Sequence, residues 1–134
     1  MGQADQLAQL IATRHQLATI ALNQGDYEEA RSGFEEALRI HQEIGDRSGE
    51  ATTFGQLGNV ANELGDTEHA LRFCLHAFLI HREIGHRHQE TARNHVNAFA
   101  SELELSQEEF DGILQEADGS YDEKRGWGQI QEAF

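Results

Sequence analysis

Proline is absent from all 134 residues, and cysteine, methionine and tryptophan occur once each. With no proline, nothing locks φ or deletes a backbone donor, so no helix need break on that account. One cysteine, Cys74, excludes an internal disulfide framework and the small secreted scaffolds built on one. Long apolar runs are also missing. The richest stretch, Leu71 to Ile80, contains Arg72 and His76 and is too short to cross a bilayer. Residues 1–10 include Asp5 and lack the unbroken apolar segment of a secretion signal. These absences predict a cytoplasmic protein without a membrane span. Alternating apolar and polar stretches are missing as well, so no strand is predicted.

Positive charge is scarce: ten basic residues face 24 acidic ones, for a net charge of −14. Residues 102–134 carry ten acids and two bases. Such a surface repels phosphate backbones, which argues against nucleic-acid binding; it favours solubility and basic partners. Lysine occurs once against nine arginines, a bias that fits a GC-rich bacterial genome.

What the chain does contain is a repeat. Leu, Ala, Glu, Gln and Arg, all good helix formers, dominate. Aligning Gly25–Glu50 with Gly65–Glu90 at an offset of 40 gives twelve identities, among them Gly25/Gly65, Asp26/Asp66, Ala37/Ala77, His41/His81 and Gly45/Gly85. Chance would give about two. Each Gly-Asp reads as a helix stop followed by the N-cap of the next helix. Helices are predicted near 3–23, 27–44, 48–64, 67–84, 88–104 and 107–117, with a weaker one near 121–132. Ser106 and Glu109 form a capping-box pattern ahead of Phe110. The domain is predicted over 1–117, in units near 3–44, 48–84 and 88–117. Residues 118–134 are read as a tail or capping helix, with Gly119-Ser120 as its possible flexible start.

Phe54-x2-Leu57-Gly58-x2-Ala61 with Ala70-x3-Cys74, and Leu17-Ala18 with Ala30-x3-Phe34, resemble the tetratricopeptide signature. The 40-residue period resembles the long variant found in kinesin light chains, Pins-type adaptors and bacterial signalling proteins. The resemblance implies an all-α solenoid of antiparallel helix hairpins, six to seven helices in all. It also implies a non-enzymatic adaptor or scaffold whose first helices line a concave peptide groove. The alternative is a peptide-sensing domain of a bacterial signalling system.

Carried over by position, the groove residues are His15, Thr19, Leu22 and Asn23, then Gln56, Asn59, Asn62 and Glu63, then His95 and Phe99. The bland reading of these positions is solvated helix surface. The clamp positions used by some relatives for a peptide carboxylate hold no fixed cation here, so that mode is not expected.

A second surface comes from comparing the units. Arg31, Glu35 and Arg39 become Leu71, Leu75 and Leu79 forty residues on, at i, i+4 and i+8. This apolar stripe should be covered. The expectation is a homodimer, with Trp127 and Ile130 of the C-terminal segment as the intramolecular alternative. No cofactor or metal is expected: His81, His86, His88 and His95 cluster in sequence but lack zinc-site spacing. Cys74, at the position of Phe34, reads as a core residue rather than a nucleophile.

Overall fold

The computed structural model describes residues 2–85 and 87–124. Six helices follow one another: α1 (Gln3–Asn23), α2 (Tyr27–Ile44), α3 (Arg47–Glu63), α4 (Thr67–Ile84), α5 (Gln89–Glu102) and α6 (Gln107–Lys124). No strand occurs among the described residues. The array is all-α, and each helix from α1 to α5 packs on its neighbours in sequence.

The turns explain the spacing. Gly25 adopts a left-handed φ of +82°. That conformation lets its N–H reach the Leu22 carbonyl at 3.1 Å while the Asp26 N–H reaches Ala21 at 2.8 Å, closing the helix end. The same pair of bonds recurs at Gly45-Asp46 and Gly65-Asp66. The aspartates then open the next helices: the Asp46 carboxylate accepts from the Gly49 N–H at 3.0 Å, and that of Asp66 from His69 at 3.1 Å.

After α5 no glycine is present, yet the geometry is kept. Glu104 takes φ +56°, and the N–H groups of Glu104 and Leu105 bond back to Ser101 and Ala100. A side chain in this region costs about 1–2 kcal/mol. Ser106 and Glu109 then cap α6 reciprocally: Ser106 Oγ accepts from the Glu109 N–H at 3.1 Å, and Glu109 Oε1 from the Ser106 N–H at 3.0 Å.

The first two hairpins share one core, built around Phe34, Leu38, Phe54, Leu57, Phe73 and Ile80. A second core joins Leu71, Leu75 and Leu79 of α4 to Val96 of α5 and Ala117 of α6, with Phe110, Ile113 and Leu114 packed on it. α6 returns to lie on α4. The leucine stripe is therefore covered by the chain itself: Leu71, Leu75 and Leu79 are all buried. This corrects the homodimer expectation for that surface, because a second copy seated there would have to displace α6. In the first unit the same face keeps its charged residues partly exposed, and Arg31 pairs with Glu28 at 2.8 Å and Glu35 at 3.3 Å.

A further correction concerns the end of the helix predicted near 107–117. α6 runs on through Asp118, Gly119 and Ser120 to Lys124. Its contacts with α4 include Glu116, paired with Arg72 at 3.1 Å, and buried Ala117. Trp127 and Ile130, and most of the helix predicted near 121–132, lie outside the described residues, as does His86. Among the described residues no helix is long and apolar enough to cross a membrane.

Candidate functional site

The first helices of the units, α1, α3 and α5, carry every predicted groove residue. Five of those residues meet in one place. Leu22 and Asn23 at the end of α1, and Asn59, Asn62 and Glu63 at the end of α3, line a cleft of about 400 Å³. Asn23, Asn59, Asn62 and Glu63 are exposed. Each asparagine amide offers a donor and an acceptor, the pair an extended peptide backbone needs. Gln56 flanks the cleft and accepts from Asn59 Nδ2 at 3.4 Å.

The cleft has a sixth wall residue that sequence reasoning missed. Tyr27, the first residue of α2, donates its hydroxyl to Glu63 Oε2 at 3.2 Å. The hydrogen bond to Glu63, helped by that residue's negative charge, pushes the phenol pKa up. The available signal was the aromatic directly after Gly25-Asp26, where the second unit has Thr67.

His15 and Thr19 sit nearer the middle of α1. Thr19 Oγ1 is occupied, donating to the His15 carbonyl at 2.8 Å. The His15 ring turns into the junction between units. Thr53 donates its one hydroxyl hydrogen to the Gly49 carbonyl at 2.8 Å, so it accepts from His15 Nε2 at 3.0 Å. That ring also packs edge-on against Phe34 and His41, with centroids at 5.3 and 6.0 Å. Burial, followed by the proximity of His41, lowers the His15 pKa. His15 is thus a junction residue that helps set the spacing of α1 and α3. Phe99 is likewise half-buried against both cores and supports α5.

His95 occupies a separate, mostly apolar pocket of about 200 Å³ with Cys74, His81, His88 and Ala92. The His81 and His88 rings meet edge-on at 6.1 Å. One unit earlier, Ile11, Ala12, His15, His41 and Ser48 line the counterpart pocket, of about 350 Å³. Both pockets lie where the end of a second helix meets two first helices, and His41 and His81 are the matched histidines. Burial lowers the His41 pKa against the partial compensation of Asp46, whose Oδ2 lies 3.2 Å from Nδ1. Among the described residues no group of three or more His, Cys, Asp or Glu side chains is placed to hold a metal ion.

Cys74 is buried, and burial pushes its thiol pKa up to about 12. A reactive thiol needs the opposite shift. Its sulfur instead fills the space left by Gly58 on α3. The leucines at 71, 75 and 79 belong to the second core and line no cleft.

A family model described as tetratricopeptide repeat matches residues 9–77, just over half of the chain. No curated protein and no solved structure matches. Repeats of this type generally mediate protein–protein contacts and are typically non-enzymatic. The matched segment spans α1 to α4, whose hairpins, turns and small-residue contacts recur at the 40-residue period, and the chain belongs to the tetratricopeptide repeat family.

Proposed function

We propose that this chain is a protein-binding adaptor that takes a basic peptide segment along the face formed by α1, α3 and α5. The reading rests on one observation: Asn23, Asn59, Asn62 and Glu63, brought from two units, converge on a single cleft. The amides supply paired donors and acceptors for a peptide backbone. Glu63, in a chain of net charge −14, supplies attraction for lysine or arginine side chains. Gln56 flanks the cleft on α3 and extends its polar wall. A cytoplasmic setting fits a chain whose one thiol is buried and unpaired.

The test is a displayed peptide library panned on the immobilised protein, then on Asn59→Ala/Asn62→Ala. Recovered peptides should be rich in lysine and arginine. Their binding should weaken as salt rises, since exposed charge attraction is screened. The double variant should bind them at least tenfold more weakly. Equal binding by the variant, or a recovered set without basic residues, would overturn the reading.

A further inference from the structure

The two junction pockets differ in depth, and the repeat gives the reason. In the first unit three rings pack together where the end of α2 meets α1. His15 lies edge-on to Phe34 and His41, with centroids at 5.3 and 6.0 Å. Phe34 is fully buried and does not line the pocket there. Forty residues on, the matched positions hold Gly55, Cys74 and His81, so two of the three rings are gone. Ile11 has likewise become Ala51. The second pocket accordingly reaches in as far as Cys74, and Ala51, Gly55, Cys74 and His81 line it together.

Neighbouring side chains have not moved in to close this space. A Cβ placed on Gly55 would meet nothing within 4 Å, whereas one on Gly58 would strike the Cys74 sulfur at 2.9 Å. Gly58 is thus a packing glycine, and Gly55 faces an open pocket of about 200 Å³. Its walls are mostly apolar, with Cys74, His81 and Ala92 buried in them and His88 and His95 exposed at the rim. An apolar cavity of about 150 Å³ is enough to hold a benzene ring.

We propose that this pocket anchors one uncharged aromatic side chain of the peptide taken up along α1, α3 and α5. The inference rests on that groove reading and adds the residue class that fixes the peptide's register. The first unit shows that the place suits a ring: His15 occupies it there, meeting His41 edge-on as an incoming ring would meet His81. A charged group is disfavoured, because Ala51, Gly55, Cys74 and Ala92 could not pair with it. Thr52 at the pocket and Glu63 at the cleft are both exposed on α3 and three helical turns apart, so they share a face. They are separated by about 16 Å along the helix, which an extended peptide covers in about five residues. The aromatic residue therefore stands about five positions from the lysine or arginine that meets Glu63.

The peptide library panned on the wild type should return sequences with Phe, Tyr or Trp at that spacing from a basic residue. Gly55→His, which restores the ring of the first unit, should bind them at least tenfold more weakly. Its thermal midpoint should be no lower than that of the wild type, since the space is open and a helix disfavours glycine. Changing the peptide's aromatic residue to alanine should cause the same loss with the wild type and little further loss with Gly55→His. A free ring tests the pocket apart from the groove: 4-methylphenol at millimolar concentrations should shift the amide resonances of Gly55 and Ala92 in the wild type, and not in Gly55→His. No shift in the wild type, or a lowered midpoint in Gly55→His, overturns the proposal. Basic peptides without an aromatic residue also overturn it and leave the groove reading standing. A wild type that responds to 4-methylphenol yet returns no basic peptides sinks the groove reading, and with it the peptide as the source of the ring. A response that appears only in Trp127→Ala would seat the chain's own indole in the pocket and overturns the proposal as well.

Discussion

Gly33 on α2 lies directly against Ala18 on α1: a Cβ at residue 33 would come within 2.9 Å of the Ala18 Cβ. In the second unit the sizes are exchanged, with Gly58 at the position of Ala18 and Phe73 at that of Gly33. One partner must be glycine wherever the two helices of a unit approach this closely. Gly33→Ala should therefore destabilise the protein by about 1–3 kcal/mol through overpacking, even though alanine is the better helix residue. Gly112→Ala, inside α6 with open space around it, should stabilise by about 1 kcal/mol. Urea denaturation of the two variants beside the wild type checks both signs.

Glu104 holds a left-handed conformation that glycine occupies in the preceding turns. Glu104→Gly should relieve that strain and raise stability by about 1 kcal/mol. Gly65→Ala, at a matching turn, should lower it. Opposite shifts in thermal midpoint would confirm the pair, and a loss of stability in Glu104→Gly would refute the account of the turn.

His76 is buried, stacked on Phe54 with ring centroids at 5.1 Å, and neither ring nitrogen has a hydrogen-bond partner. Burial, with Arg72 nearby, drops its pKa to about 4. The unfolded chain, titrating near 6.5, thus takes up this proton before the folded one does. The contribution is fully present above about pH 6.5 and is lost as pH falls towards 4, on the order of 3 kcal/mol in all. His15 and His41, both lowered, act in the same direction. Glu35, raised chiefly by burial, acts in the opposite one. His76→Phe should flatten much of the decline between pH 7 and 4.5, read from urea midpoints at each pH.

Leu75→Glu/Leu79→Glu places two carboxylates in the core that α6 seals. Each should cost about 3 kcal/mol or more, and together they should approach the whole stability of a small domain. Loss of cooperative unfolding and uptake of a hydrophobic dye are expected. A folded, soluble monomer would instead mean that α6 does not cover the stripe.

Much of this architecture could be read from the chain. The recurring Gly-Asp fixed the turns because the left-handed residue and the capping carboxylate act within a few positions of each other. The capping box at Ser106 and Glu109 was legible for the same reason. The change from Arg31, Glu35 and Arg39 to three leucines signalled a covered face, yet not what covers it, since packing between distant helices leaves no local mark. Gly119-Ser120 resembled a break, yet the helix runs through it, since a glycine costs a helix only about 1 kcal/mol. At the site, Asn23, Asn59, Asn62 and Glu63 line one cleft. His15 did not join them: it sits about two turns before Asn23 on α1, where its ring meets Thr53 across the junction between units.

The seal that α6 forms over Leu71, Leu75 and Leu79 has a consequence for the stacking itself: another hairpin could use that face only by first displacing α6.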